Sequence, residues 1–249
     1  MGKDIILYAT DSQGDDFSTI VSKKIAPLSQ DESLEILCVS ASVSKRHLKD
    51  EDSGPVTIVH EKHDTVSADL ILNRAASANA NFIATRFDND RNGNVSDKIL
   101  RKSQIPLIVI KGAISPLSLW DHVIVATNWD AVSHHALDFI LKYGNRIREL
   151  EIIHVINQKL TVKDMRQLKE QLQRTRRMCL EAGIDAEAHI YAGDVGEEIL
   201  TAAQDYRGSL IVITENRKKP LLKRVLRRRI SFEVVQDSEI PVIVLPSNN

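Results

Sequence analysis

Between Arg217 and Arg229 the chain carries eight cations: Arg217, Lys218, Lys219, Lys223, Arg224, Arg227, Arg228 and Arg229. Guanidinium and ammonium groups bind carboxylates and phosphates, and arginine does so through a planar fork of donors. The run follows the apolar stretch Leu210–Ile213 and precedes a second one, Val242–Leu245. If both are parallel strands, the cations lie in the connection leaving the carboxyl end of a strand, where α/β proteins bind ligands. Three readings stand side by side. At three-and-four spacing the cations form a solvated helix face, with Leu222, Val225, Leu226 and Ile230 turned inward. Alternatively the arginines form an anion site. In the third reading they meet RNA, DNA or another polyanion, although no aromatic residue lies within the run to stack on bases.

Other residue types with chemical potential read as structural. Cys38 and Cys179 occupy apolar surroundings and share no metal-ligand spacing, so they are expected to be buried free thiols, and no metal is expected. His134 and His135 are neighbours, so on a helix they point about 100° apart and do not chelate one ion. His154 lies in an apolar run and reads as a core histidine with a local hydrogen bond. Asp194 followed by Glu197 reads as a helix cap. Nothing in the chain matches a nucleophile elbow, a P-loop lysine motif, a metalloprotease helix or paired metal cysteines. A non-catalytic protein is expected.

The elements that would position these residues alternate between strand and helix. The first half reads as a strand at Asp4–Thr10 and a helix with Phe17, Ile20, Val21 and Ile25 on one face, ended by Pro27. Asp11 or Ser12 can cap that helix. Strands follow at Leu34–Ser40, Thr57–Lys62, Asn81–Thr85 and Pro106–Ile110, with helices before the last two. Residues 41–56 read as an exposed polar loop. The second half repeats the order. HVIVATNWD (His122–Asp130) echoes DIILYATDS (Asp4–Ser12), LEIIHVI (Leu150–Ile156) echoes LEILCVS (Leu34–Ser40), and IPVIVLP (Ile240–Pro246) echoes IPLIVIK (Ile105–Lys111). A long helix from about Thr161 to Ala182, ended by Gly183, stands where the first half has its polar loop. Alternation of this kind predicts an α/β fold: two Rossmann-like domains, residues 1–113 and 119–249, each a five-stranded parallel sheet with helices on both faces.

Net charge is −1 and the hydrophobic share 43%, ordinary values that leave no global field toward nucleic acid or membrane. No apolar run approaches the about 18–20 residues of a membrane helix, and MGKDIILYATD enters a strand with no signal-peptide pattern. A cytoplasmic location without membrane contact is expected.

The order of these segments resembles the universal stress protein family in its tandem two-domain form. The motifs that carry the resemblance are ATD (Ala9–Asp11), ATN (Ala126–Asn128), IIHV (Ile152–Val155), GNVSDKIL (Gly93–Leu100) and GDVGEEIL (Gly193–Leu200). The resemblance implies the strand order 3-2-1-4-5 and pairing of the last strands, here Pro106–Ile110 with Pro241–Leu245, inside one chain. It also implies where ATP or AMP would bind: an aspartate ending strand one, the backbone of strand two, and a loop G-x2-G-x9-G-(S/T) around the phosphates. Glycine lets backbone N–H groups approach phosphate, and the hydroxyl adds a donor. In the first domain that frame marks Asp11, Val39, Gly93, Asn94, Val95 and Ser96, about half of a site. In the second it marks Asn128, Val155, Lys218, Arg228 and Arg229, with no glycine left, and it puts the carboxylate of Glu215 where phosphate would lie. The expectation is a degenerate, nucleotide-independent stress-response or regulatory protein that binds protein partners, itself or a small ligand. The alternative is an adenine-nucleotide binder with slow ATP hydrolysis around Asp11 and Gly93–Ser96.

Overall fold

A computed structural model describes residues 4–10, 17–30, 33–40, 56–86, 94–110, 117–128, 133–215 and 230–246. Asp11, Gly93, Lys218, Arg228, Arg229 and the whole Arg217–Arg229 run lie outside these residues, as does the polar loop at 41–55. The chain divides into two compact units, Met1–Ser118 and Leu119–Asn249.

Unit 1 contains β1 (Asp4–Thr10), α1 (Phe17–Ile20), β2 (Leu34–Ser40), β3 (Val56–Lys62), α2 (Ala68–Ser77), β4 (Phe82–Arg86), α3 (Asn94–Lys102) and β5 (Leu107–Val109). All its strand pairs are parallel, in the order β3-β2-β1-β4-β5. Unit 2 contains β6 (His122–Ala126), α4 (Ser133–Lys142), β7 (Glu149–Ile156), α5 (Val162–Glu181), β8 (Asp185–Ala192), α6 (Val195–Asp205), β9 (Leu210–Glu215), α7 (Ile230–Asp237) and β10 (Val242–Pro246). Its parallel strands run β8-β7-β6-β9-β10. Each unit thus has the 3-2-1-4-5 order. The middles of the central strands are apolar because both faces are covered: Ile6, Leu7 and Ala9 of β1 and Leu210, Ile211 and Val212 of β9 are all fully buried.

Local signals explain the helix ends. The Thr161 hydroxyl accepts from the Asp164 N–H at 3.2 Å, and the Asp164 carboxylate accepts from the Thr161 N–H at 3.0 Å, a reciprocal cap that starts α5. Gly183 then stops it with φ +81°, a left-handed conformation that costs glycine little. Asp194 caps α6 by accepting from Gly196 N–H at 3.0 Å.

Two expectations need correction. The first helix is a single α turn that widens into a π segment, Val21–Ile25, and ends in a 3-10 turn containing Pro27. Pro27 offers no N–H to the carbonyl four residues back, so regular α geometry cannot run to its end. The widening buries Lys24 beside Ile20, Val21 and Ile25, and its ammonium donates to the Leu117 carbonyl at 2.9 Å. Ile230, expected to face inward, is 38% exposed. It opens α7, whose buried face consists of Ser231, Val234 and Val235.

An ion pair ties the edge strand of unit 1 to α2. The Arg74 guanidinium of α2 forks onto Glu61 of β3 at 2.6 and 3.0 Å and holds that carboxyl below its ordinary pKa. A carboxyl depressed in the folded state stabilises above its unfolded pKa and loses that contribution as pH falls through the folded value. Arg74→Ala should therefore flatten the acid side of the stability curve of unit 1, read by urea unfolding from neutral pH down to about pH 3. Thr161→Ala should cost unit 2 about 1 kcal/mol in the same measurement.

Candidate functional site

In a parallel sheet, residues near the carboxyl ends of neighbouring strands lie side by side and face the incoming ligand. In unit 1, Ala9 of β1 stands opposite Val39 of β2 on one side and Thr85 of β4 on the other, and Thr85 pairs in turn with Val109 of β5. Val39 is fully buried. So is Thr85, yet its hydroxyl has no hydrogen-bond partner. A buried hydroxyl without a partner costs roughly 1–3 kcal/mol, so this one stands out. Thr85 belongs to none of the motifs that marked the other residues. A hydroxyl residue directly after the apolar run Phe82–Ala84 was the available signal.

Of the other residues marked in unit 1, Asn94, Val95 and Ser96 form the first turn of α3, the helix that follows β4. Topology therefore places their backbone at the same end of the sheet as Val39 and Thr85. Ser96 already makes an interaction within the protein. Val39 and Thr85 thus stand in one row across the sheet, on either side of Ala9.

Unit 2 is arranged differently. Asn128 is exposed two residues beyond β6. Opposite Ala126 stands Ile153, whereas Val39 stands opposite Ala9. Val155 lies two residues further along β7 and is not the register counterpart of Val39. The echo of LEILCVS by LEIIHVI is therefore displaced by two residues in the sheet. A shift of two preserves which face each side chain occupies, so the hydrophobic pattern alone does not reveal it. His154, expected in the core, is half-buried and makes the local hydrogen bond expected of it. Its Nδ1–H donates to the Thr127 carbonyl at 2.9 Å, and burial pushes its pKa down.

At the end of β9, Glu215 is 5% exposed, and its carboxylate accepts a hydrogen bond from the Ser231 hydroxyl in the first turn of α7. An acid side chain here complements the partial positive charge of the helix amino end. The same carboxylate repels an anion brought to that position.

The register shift has a second consequence. It sets Glu151 opposite Ile124, in the interior of the sheet, where it is 7% exposed. Two histidines on flanking strands reach it: His122 Nε2 at 3.0 Å and His189 Nε2 at 2.6 Å, one on each carboxylate oxygen. Strand-to-strand register brings these three together, which is why linear spacing gave no sign of them. Among the described residues no group of His, Cys, Asp or Glu is arranged to hold a metal ion, and no helix is long and apolar enough to cross a membrane. Both cysteines are buried and free, and burial pushes the Cys179 thiol up to about 11.

Comparison with known proteins fits this architecture. A universal stress protein from Archaeoglobus fulgidus matches over 98% of this chain and 97% of its own, with TM-score 0.69 and 18% identity. A functionally unknown protein from Pseudomonas aeruginosa matches over 98% and 92%, with TM-score 0.64 and 19% identity. At such identities the likeness establishes the fold. Another Archaeoglobus fulgidus universal stress protein, solved in complex with dAMP, covers 51% of this chain and 98% of its own at TM-score 0.39 and 16% identity, too loose a likeness to transfer its ligand. No curated protein matches the sequence at a significant level. The family model of the universal stress proteins matches residues 120–246, just over half of the chain. With two parallel 3-2-1-4-5 units and that match, the chain belongs to the universal stress protein family.

Proposed function

We propose that this protein is a non-catalytic stress-response or regulatory member of its family that acts by binding a protein or a small ligand rather than by turning over nucleotide. One observation carries the reading: the buried Glu215 carboxylate, hydrogen-bonded to Ser231, lies between the end of β9 and the amino end of α7. A phosphate brought to that helix end would meet a fixed negative charge in a poorly solvated place. Unit 2 in this reading is a partner-binding or scaffolding domain. Two buried free thiols support a reducing, cytoplasmic setting.

A second reading is favoured by a separate observation in unit 1. The Thr85 hydroxyl is buried, unpartnered and one residue from the carboxyl end of β4. In the same row as Val39, across Ala9, it offers a hydrogen bond to a small ligand, with ATP or AMP as the candidates. The two readings separate in a thermal-shift titration of the full chain with ATP, ADP and AMP. A ligand at a hundredfold excess over its Kd stabilises by about 2.7 kcal/mol. The first reading expects no change in midpoint at millimolar nucleotide. A rise that disappears in Thr85→Val would establish the second reading instead.

A further inference from the structure

The second unit contains a hydrogen-bonded series that the binding role does not use. It runs from His122 to Glu151, from Glu151 to His189, and from His189 to Tyr206. His189 Nε2 lies 2.6 Å from Glu151 Oε2, and its Nδ1 lies 3.1 Å from the Tyr206 hydroxyl. A carboxylate only accepts, so the Nε2 of His189 must carry the proton. That leaves the Nδ1 lone pair facing the phenol. The tautomer is therefore set by Glu151, and it is the tautomer that can take a proton from Tyr206. Glu151 is held in turn by His122, whose Nε2 binds the other carboxylate oxygen at 3.0 Å.

Nucleophile, base and orienting acid in this order form the arrangement that activates hydroxyl nucleophiles. We propose that Tyr206 is a nucleophilic residue, activated by His189 as general base, that accepts an acyl group from an activated ester. The phenolic oxygen attacks the acyl carbon while its proton passes to His189 Nδ1. The carbon–oxygen bond to the leaving group breaks, and the leaving group departs as its oxyanion with the bonding electrons. An O-acyl tyrosine remains. His189 touches the reacting proton. Glu151 and His122 are positioning residues.

The surroundings favour Tyr206 over the chain's other three tyrosines, Tyr8, Tyr143 and Tyr191. Tyr8 and Tyr143 are buried to within 1%. Tyr191 donates its hydroxyl to Asp205 at 3.0 Å, and burial together with that bond and its contact to Tyr206 pushes its pKa well above the ordinary phenol value. Tyr206 is half-buried at the end of α6, its backbone N–H bonded to the Ala202 carbonyl at 3.1 Å. Its ring packs on both imidazoles, with centroids 4.8 Å from His189 and 6.1 Å from His122. The next residue, Arg207, is an exposed cation. Charged groups near the series on the strands are Glu149, 3.5 Å from His122 Nδ1 and paired with Arg148, and Glu187, paired with Arg176 of α5.

This proposal does not rest on the binding role above. Its test is p-nitrophenyl acetate added to the full chain, with acetylation rates at each tyrosine read by peptide mass spectrometry. Tyr206 should acetylate at least about tenfold faster than Tyr191. His189→Gln should slow it by about a hundredfold, the scale of general-base assistance. Nitrogen-15 shifts of His189 should report the Nε2–H tautomer, and Glu151→Gln should mix the tautomers and slow acetylation. The wild-type measurement stands even if a variant fails to fold. Acetylation of Tyr206 no faster than Tyr191, or equally fast in a folded His189→Gln variant, would overturn the proposal.

Discussion

A parallel sheet with both faces covered leaves almost no place for a polar side chain except at the strand ends, and everything distinctive about this molecule follows from that. Backbone groups are satisfied by the ladder, so each additional polar atom buried in the sheet needs its own partner. Glu151 meets the requirement with two histidines, Glu215 with a serine, and His154 with a backbone carbonyl. Thr85 is the contrasting case, a buried hydroxyl left without a partner. These residues mark where the two units depart from plain structural domains.

The units share a strand order and differ in what they do with its carboxyl edge. In unit 1 the row Val39–Ala9–Thr85–Val109 contains a buried hydroxyl, that of Thr85, with no hydrogen-bond partner among the described residues. In unit 2 the corresponding strand, β9, ends in a carboxylate that is itself bonded to the following helix. One edge carries a buried hydroxyl, and the other an internal carboxylate bonded within the protein.

The displacement of β7 by two residues shows how a small change of register alters chemistry. In unit 1 the glutamate of the echoed segment, Glu35, pairs with Ile5 near the start of β1; in unit 2 the equivalent glutamate, Glu151, pairs with Ile124, in the middle of β6. Both side chains keep their face, so the apolar pattern is equally satisfied. Yet the deeper placement removes Glu151 from water and draws His122 and His189 onto it. The price of burial is a fixed histidine tautomer, and that tautomer is what orients a base toward Tyr206.

The amino-acid sequence alone determined the alternation of strands and helices, the internal repeat, the span of α5 and its end at Gly183, the α6 cap at Asp194, and the local hydrogen bond of His154. These are local in origin: apolar periodicity, side chains that accept from nearby N–H groups, and glycine or proline at helix ends. The π widening that buries Lys24, the outward turn of Ile230 and the partners of Glu151 were not legible, because each depends on how one element is seated against another. Thr85 was visible as a residue type, but that its hydroxyl lacks a partner is a fact about four neighbouring strands. Only the tertiary structure decided the register, since a two-residue slip leaves the hydrophobic pattern unchanged while it exchanges every polar neighbour.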